Sequence, residues 1–212
     1  MNDFESALVT AGFGPVAGVD EAGRGACAGP LVAAAVILET EPCDFSTTNP
    51  VDAMTWREQL DDSKALTPRR RESLFERILA EAAAVAWVEV SADECDRWGI
   101  QEADIQALRR AVLKLEIAPG FVVSDGFAMP GLAVPSVGMW KADQVVPCVS
   151  AASIVAKVVR DTMMNDYDTA YPGYEFARHK GYGTALHQER LMTLGPSPIH
   201  RLTYDNVRRA MR

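Results

Sequence analysis

The sequence predicts an α/β protein in which a central mixed β-sheet is flanked by helices and followed by a helical C-terminal region. Two patterns carry this prediction: strand-like apolar runs concentrate early in the chain, and segments with apolar residues at helical spacing concentrate late. The length of 212 residues and the 48% hydrophobic content are those of one globular domain with a buried core. We therefore predict a single domain over residues 1–212.

The first strands are expected near the N-terminal end. The short apolar run from Val16 to Val19, the Gly-rich connection from Gly23 to Pro30 and the strand-like run from Leu31 to Leu38 predict a hairpin or meander. The next stretch, Glu39 to Thr55, is polar and contains two prolines, so it is predicted to be a loop.

Helices and strands then alternate. Thr67 followed by Pro68 is typical of a helix start, and a β-rich run from Val85 to Val90 follows that helix. A second helix is predicted near residues 101–115, followed by a strand from Phe121 to Ser124 and a further apolar run from Leu132 to Val137. A long helix is expected from about residue 149 into the region of residue 166.

The net charge and the local charge of the chain give conflicting indications about nucleic-acid binding. The net charge of −8 argues against such a ligand, but seven Lys or Arg residues stand against two acidic residues from Arg178 to Arg212, a local balance of +5. All three histidines, His179, His187 and His200, lie in the same portion. A basic terminal helix is often only solvated surface, yet the portion from about 178 to 212 could also face phosphates.

Two further features restrict the class of protein. The chain has no apolar run of about 18 residues, and its start lacks the regions of a signal peptide, so we expect a cytoplasmic protein without membrane contact. The cysteines have no CxxC spacing, which argues against a zinc site and a disulfide framework. Buried or idle thiols are expected at Cys27, Cys43, Cys95 and Cys148.

Acidic residues stand at or soon after the ends of three strand-like runs: Asp20 with Glu21, Asp125, and Asp143. One such Asp is more often a turn residue or a helix cap, but three runs that end this way favour a functional site at the sheet. Carboxylates without His or Cys partners suit Mg²⁺ or Mn²⁺, and two such ions can catalyse hydrolysis of a phosphate ester.

The Gly-rich turn offers a second candidate site. Its GxGxxA spacing is similar to a dinucleotide-binding fingerprint, but Pro30 and a β-rich run follow in place of a helix, so we reject that function. Gly23 and Gly25 allow the backbone to approach a ligand closely, and Arg24 between them could present its guanidinium to a phosphate. A tight hairpin with an exposed arginine is the open alternative.

Two polar features lie in the C-terminal half. On the helix that begins near residue 149, Ser150, Ser153 and Lys157 share one face and could bind a phosphate; a helix cap followed by a surface lysine would also explain them. Tyr182 stands between two glycines, where its ring could stack on a sugar or base, although simple packing is the alternative.

Taken together, these motifs resemble the signature of the bacterial ribonuclease HII family, a type 2 ribonuclease H family. The sequence GVDEAGRG at 18–25, with AGP at 28–30, resembles the opening motif. Matching motifs follow in the family's order: DSKAL at 62–66, DG at 125–126, KAD at 141–143, SAASIVAK at 150–157 and HKGYGT at 179–184. Ribonuclease HIII usually carries an extra N-terminal domain, whereas the signature here starts within the first 20 residues, so type HII is preferred.

The resemblance implies an RNase H-like fold and a site for Mn²⁺ or Mg²⁺, with two ions, formed by Asp20, Glu21, Asp125 and Asp143. It also implies that the turn 23–25 reads the 2′-hydroxyl of a ribonucleotide and that Tyr182 stacks on the next deoxyribose. Secondary phosphate contacts are expected from Lys64, Ser150, Ser153 and Lys157.

The implied activity is endonucleolytic. It comprises hydrolysis of the RNA strand of RNA–DNA hybrids and incision on the 5′ side of single ribonucleotides embedded in duplex DNA. The products carry 3′-hydroxyl and 5′-phosphate ends, and the cut initiates ribonucleotide removal from DNA. We expect a monomer, and the sequence contains no convincing peptide for a sliding clamp, which leaves that partner unsupported.

Two other classes of function stay open on the residues alone. A non-catalytic nucleic-acid-binding module would explain the basic end and the Gly-Arg-Gly turn, and its binding would survive chelation of metal. A metal-dependent phosphatase for small esters would explain the carboxylates. The polar helix face, Tyr182 and the basic portion favour a polymer over a small ester.

Overall fold

The computed structural model describes residues 3–39, 56–60, 63 and 66–211. Its strands are β1 (Val16–Ala22), β2 (Leu31–Ile37), β3 (Ala84–Val90), β4 (Phe121–Asp125) and β5 (Ser136–Met139). They form one sheet in the order β3-β2-β1-β4-β5, in which β1 to β3 pair antiparallel while β4 and β5 run parallel to β1. The predicted central mixed sheet is confirmed.

Helices cover both faces of this sheet. Those within the described residues are α1 (Asp3–Thr10), α2 (Pro68–Glu81), α3 (Ala92–Trp98), α4 (Ile100–Leu113), α5 (Pro147–Ala170), α6 (Phe176–His179), α7 (Ala185–Leu194) and α8 (Asp205–Ala210). Helices α2 and α5 pack on one face, whereas α3 and α4 pack on the other. Single 3₁₀ turns occur at Trp56–Gln59 and Ala142–Gln144. No described helix has both the length and the apolar character needed to cross a membrane.

Strand β2 is buried on both faces, which explains its continuous apolar sequence. Alternate side chains point to opposite faces of a sheet, so Val32 and Val36 pack toward α5 while Leu31 and Ile37 pack toward α4. The three alanines at 33–35 have short side chains at the centre of the strand, and all three are fully buried. This arrangement brings helices close to the middle of the sheet on both sides.

Helix α5 lies directly on β1 because Gly18 has no side chain. A Cβ at this position would stand 2.2 Å from the carbonyl carbon of Cys148 and from the amide nitrogen of Val149. The first turn of α5 is capped from outside, since the backbone N–H of Cys148 donates to Oε1 of the buried Glu5 at 2.6 Å. The N-terminal half of α5 is therefore seated beside the end of β1.

The structure differs from the predicted elements in three places. The run from Leu132 to Val137 is a strand only from Ser136, because Gly131 has a positive φ of 83° and Pro135 has no amide hydrogen to pair. Helix α5 begins at Pro147 and extends to Ala170. Helices α1 and α3 were not predicted, although Ser91 and Glu94 form a capping box that is readable in the sequence. Apart from Glu39, the predicted loop from Glu39 to Thr55 lies outside the described residues.

Candidate active site

Two of the predicted acidic residues lie near the C-terminal ends of neighbouring strands. Strands β1 and β4 run parallel, with Val19 paired to Ser124, so Asp20 and Asp125 are the next residues along each strand. Residues two apart in a strand point to the same face, so Asp20 shares the face of Gly18 and Asp125 shares the face of Val123. Both side chains therefore point toward the face that α5 covers. The sheet therefore brings these two carboxylates to one edge beneath the N-terminal half of α5.

Asp20 is buried in an electrostatically unfavourable place. Only 5% of the residue is exposed, and its Oδ1 accepts the backbone N–H of Glu21 at 2.8 Å. Burial raises the pKa of Asp20 well above its ordinary value, and the carboxylates of Glu21 and Asp125 raise it further, while a hydrogen bond from Ser153 acts in the opposite direction. A cation beside these carboxylates would relieve this cost.

Asp143 reaches the same region through a short 3₁₀ turn. Lys141 adopts a left-handed conformation with φ 59°, and the next amide, that of Ala142, donates to Oδ1 of Asp125 at 2.8 Å. The hydroxyl of Ser150 donates to the carbonyl oxygen of Asp143 at 2.6 Å. The turn is thus tied to the end of β4 on one side and to α5 on the other.

The donor set fits a hard divalent cation, but the carboxylates do not form a finished cage. Within the described residues, no three His, Cys, Asp or Glu side chains already make a group that could hold a metal ion. The candidate donors are carboxylate oxygens, which Mg²⁺ and Mn²⁺ prefer. Asp20 and Asp125 leave adjacent strand positions on the same face, so rotation of the side chains can bring their oxygens together without moving the sheet.

Ser150 and Ser153, which the sequence suggests as phosphate contacts, are both buried. Each is 3% exposed, and the hydroxyl of each is hydrogen-bonded within the protein. Ser150 holds the backbone of Asp143, while Ser153 hydrogen-bonds Asp20 and lies 2.8 Å from the hydroxyl of Ser63. The polar face of α5 is turned toward the sheet because α5 lies on Gly18, and its two serine hydroxyls contact the carboxyl group of Asp20 and the backbone of Asp143.

A cleft of about 530 Å³ opens beside the acidic residues. It brings Glu21 together with five of the residues predicted to bind substrate: Gly23, Arg24, Gly25, Lys157 and Tyr182. The rest of its lining is Ala22, Ser63 and Arg71. Lys64 lies outside the described residues. A smaller hollow of about 180 Å³ on the other side of Glu21 and Arg24 is lined by Asp125, Lys141 and the exposed ring of Trp140, among others.

Two buried arginines hold the Gly-rich turn. Arg160 donates to the carbonyl oxygens of Pro30, Ala28 and Lys180 at 2.9, 3.1 and 2.9 Å. Gly23, with a φ of 92°, leaves room for this side chain, since a Cβ there would stand 1.9 Å from Nε of Arg160. The turn is thereby fastened to α5 and to the loop that follows α6.

Arg201 holds the other side of the same turn. Its guanidinium donates to the carbonyl oxygen of Gly29 at 3.0 and 3.2 Å and to that of Arg24 at 3.0 Å. Tyr204 donates to the same Arg24 carbonyl at 2.7 Å. Arg201 is fully buried, so it does not add to the phosphate-facing charge that the basic C-terminal portion suggests.

The guanidinium of Arg24 is directed at α4, whereas the sequence suggested a fork presented to phosphate. Its Nη2 donates to Oε1 of Gln101 at 2.6 Å, and its Nε lies 3.3 Å from Oδ2 of Asp104. The group also lies over the ring of Phe127, 5.4 Å from the ring centre. The residue lines the cleft, but its charged end is occupied by neighbours in the protein.

Tyr182 lines the cleft between two cations and is supported by histidines. Its ring centre lies 6.0 Å from Nζ of Lys157 and 5.4 Å from Cζ of Arg160. Behind it, the Nδ1 of His187 donates to the carbonyl oxygen of Tyr182 at 2.9 Å, and its Nε2 lies 3.0 Å from Nε2 of His200. The aromatic ring is thus presented from a densely hydrogen-bonded loop.

The histidines of the basic portion do not carry charge at neutral pH. The rings of His179 and His187 stack at 4.1 Å, and Nδ1 of His200 accepts the backbone N–H of Ser197 at 2.9 Å. Burial lowers the pKa of both His187 and His200 to about 4. These side chains support the loop structurally, and they add nothing to the surface potential.

The supporting residues that the sequence analysis missed include Glu5, Asp104 and Arg160. Asp104 carried a readable signal, because it stands on the buried face of α4 beside Ala103 and Ala107, where an apolar residue is expected. Arg160 likewise interrupts the buried face of α5. The sequence offers no comparable signal for Glu5, whose partner is 143 positions away.

Comparison with known proteins identifies a family that matches most of the chain. The sequence model of the family described as Ribonuclease HII matches residues 17–207. A Ribonuclease HII from Cutibacterium acnes is 60% identical over 209 residues, which cover 98% of this chain and 97% of the relative.

Solved structures show a similar fold. The ribonuclease H2 from Pyrococcus horikoshii OT3 matches with a TM-score of 0.70 at 25% identity, covering 92% of this chain and 96% of that one. Bst-RNase HIII in complex with Mn²⁺ has a TM-score of 0.71 at 20% identity, covering 97% of this chain and 72% of that one, and so shares the fold. The family match and the close relative together establish that this chain belongs to the ribonuclease HII family, a family of nuclease enzymes.

Proposed function

We propose that this protein is a divalent-metal-dependent endonuclease that hydrolyses the RNA strand of RNA–DNA hybrids and incises duplex DNA on the 5′ side of single embedded ribonucleotides. The observation that carries this proposal is the cleft beside the acidic residues. Its wall combines Glu21, the Gly-Arg-Gly turn, Lys157 and the ring of Tyr182. A carboxylate edge that adjoins backbone amides, a cation and an aromatic ring suits a nucleic-acid strand better than a small ester.

Asp20, Glu21, Asp125 and Asp143 would hold Mn²⁺ or Mg²⁺, and we propose two ions. When bound, such ions activate a water and stabilise the leaving oxygen of an in-line phosphodiester displacement. The raised pKa of Asp20 and the carboxylates of Glu21 and Asp125 beside it support this assignment. Bst-RNase HIII, which shares the fold, is itself in complex with Mn²⁺. Ser153 orients the carboxyl group of Asp20, and Ser150 holds the backbone of Asp143.

The substrate contacts follow from the walls of the cleft. The backbone of Gly23 to Gly25 would read the ribose 2′-hydroxyl, since glycines without side chains permit close approach. The ring of Tyr182 would stack on the next deoxyribose, and Lys157, 6.0 Å from that ring, would meet the neighbouring phosphate. A junction between ribose and deoxyribose is therefore the proposed recognition element.

The proposed products carry 3′-hydroxyl and 5′-phosphate ends, and the cut would begin removal of a ribonucleotide from DNA. The cytoplasm is the proposed location and a monomer the proposed state. A non-catalytic binding module and a small-ester phosphatase are the alternatives that the assay below separates.

The test uses one labelled duplex with a single embedded ribonucleotide, compared with an all-DNA duplex, a long hybrid and a small phosphate ester. Pure protein is expected to cut the first and third substrates in Mg²⁺ or Mn²⁺ and to lose activity on chelation. The absence of a cut in either metal, or binding without product, would overturn the proposal.

Replacement of one carboxylate tests the ligand assignment. Asp125→Asn keeps an oxygen that can accept the Ala142 N–H, so the fold should persist, while kcat falls at least ~10²-fold through loss of a charged ligand. The control is Asp166→Asn, an exposed acid on α5. Near-full activity of Asp125→Asn would show that the assignment is wrong.

A further inference from the structure

Helix α4 buries an acidic residue in an otherwise apolar face. Asp104 is 0% exposed, and the buried positions around it on α4 are Ala103, Ala107, Leu108, Ala111 and Val112. Neither carboxylate oxygen of Asp104 receives a hydrogen bond from any described residue. A buried carboxylate without hydrogen bonds is strongly unfavourable unless a positive charge compensates it.

Arg24 of the Gly-Arg-Gly turn supplies that charge. Its Nε stands 3.3 Å from Oδ2 of Asp104, and its side chain retains 39% exposure toward the cleft. The same guanidinium donates to Gln101, one turn earlier on α4, and lies over Phe127 at the end of β4. Two residues of α4 and one aromatic ring thus define the position of this side chain.

The ionic state of Asp104 depends on this contact. Burial raises the pKa of Asp104 to about 7, the positive charge of Arg24 acts in the opposite direction, and the negative charge of Asp20 adds to the increase. Arg201 is a second, weaker positive neighbour. Removal of Arg24 would therefore take away the main stabilising charge beside the carboxylate of Asp104.

The backbone of Arg24 is held from the opposite side. Its carbonyl oxygen accepts hydrogen bonds from Arg201 at 3.0 Å and from Tyr204 at 2.7 Å. The side chain is drawn toward α4 while the carbonyl is drawn toward the C-terminal region, so the peptide units at 23–25 have little freedom to rotate. Both anchors are needed for this effect, because a turn held at one point can pivot.

We propose that Asp104 is a positioning residue for substrate recognition: it holds Arg24 against α4 and so keeps the backbone of the Gly-Arg-Gly turn facing the cleft. This inference rests on the proposed function, in which that turn reads the ribose 2′-hydroxyl. Asp104 itself does not contact substrate. Its contribution is the preorganised geometry of the turn.

Asp104→Asn is the direct test. The amide retains the size of the side chain but not its charge, so the grip on Arg24 weakens. We expect KM for the duplex with a single ribonucleotide to rise about 10-fold with kcat little changed, and the preference for that duplex over the long hybrid to fall by a similar factor. Asp93→Asn, an exposed acid on α3, is the charge-matched control.

A double-mutant cycle with Arg24→Ala shows whether Asp104 acts through Arg24. If it does, the double variant has the same KM as Arg24→Ala alone, and the loss of melting temperature that Asp104→Asn causes in the wild type is absent in the Arg24→Ala background, because the ion pair is already broken there. Effects on KM that multiply would mean that Asp104 acts by another route and would overturn the inference.

The remaining outcomes separate the two proposals. If the wild type cuts no ribonucleotide-containing duplex, the proposed function fails, while the thermal cycle still tests the pairing of Asp104 with Arg24. If the wild type cuts and Asp104→Asn keeps both its KM and its substrate preference, only the inference fails. Should Asp104→Asn not fold, Gln101→Ala removes the exposed acceptor of Arg24 and must shift the preference in the same direction, and an unchanged preference overturns the inference.

Discussion

Gly18→Ala tests whether the seat of α5 on β1 sets the geometry of the acidic site. The added methyl would stand 2.2 Å from two backbone atoms of α5, those of Cys148 and Val149, and backbone cannot turn aside as a side chain can. Ordinary contacts begin at 3.4 Å, so α5 must retreat from β1 by about 1 Å. Ser153 would move with it, and its hydrogen bond to Asp20 would lengthen.

Two measurable consequences follow from that displacement. Overpacking at a buried backbone contact is expected to lower the free energy of unfolding by about 1–3 kcal/mol. A shift of about 1 Å between groups that must act together is expected to reduce kcat up to ~10²-fold. KM should change less, because the carbonyl oxygen of Arg24 in the Gly-Arg-Gly turn is held by Arg201 and Tyr204, which lie outside α5.

The assay combines urea unfolding with cleavage of the single-ribonucleotide duplex at saturating substrate. Gly183→Ala is the control for stability, because a Cβ at that position would lie 3.7 Å or more from its nearest neighbours, and it should stay within about 0.5 kcal/mol of the wild type. A Gly18→Ala protein with wild-type stability and kcat would refute the idea that the α5 contact sets the site.

Two more predictions concern the supports of the cleft. His200 has a pKa of about 4 when folded against about 6.5 when unfolded, so the unfolded chain gains protons first and stability is lost as the pH falls from about 6.5 toward 4, by at most about 3 kcal/mol. The fall in the free energy of unfolding over that range should be shallower in His200→Asn, and parallel curves would contradict this. Arg160→Met removes three hydrogen bonds to buried carbonyl oxygens and should lower the free energy of unfolding, measured by chemical denaturation, by at least about 3 kcal/mol. A decrease below about 1 kcal/mol would mean that the turn does not depend on Arg160.

The sheet and its acidic edge were predictable because they depend on local pattern. The apolar runs before Asp20 and Asp125 become strands that carry these carboxylates at or near their C-terminal ends, since the side-chain alternation of a strand is a property of neighbouring residues. The parallel pairing that puts these two residues side by side joins segments about 100 positions apart, and motif order alone identified them as partners.

The direction in which a polar face points was not predictable from the same pattern. Helical periodicity correctly groups Ser150, Ser153 and Lys157, but it does not say whether solvent or sheet lies against them. The absence of a side chain at Gly18 allows α5 to lie against β1, so that the two serines face inward and Lys157 lines the cleft.

The exposure of the charged residues was likewise not predictable from the sequence. The count of basic residues near the C-terminal end is a fact of the sequence, but Arg201 and the three histidines are buried and hold backbone instead of facing phosphate. A formal charge acts on a ligand only when it is exposed, and exposure is decided by packing.

The sequence by itself determined the family, the mixed sheet and the acidic residues at its edge, because these follow from motifs and from local periodicity. Only the tertiary structure decided what Arg24 does. Its partners on α4 are Gln101, 77 positions later in the chain, and Asp104. Contacts over such separations arise from the packing of one helix against one turn, and neither local pattern carries information about the other.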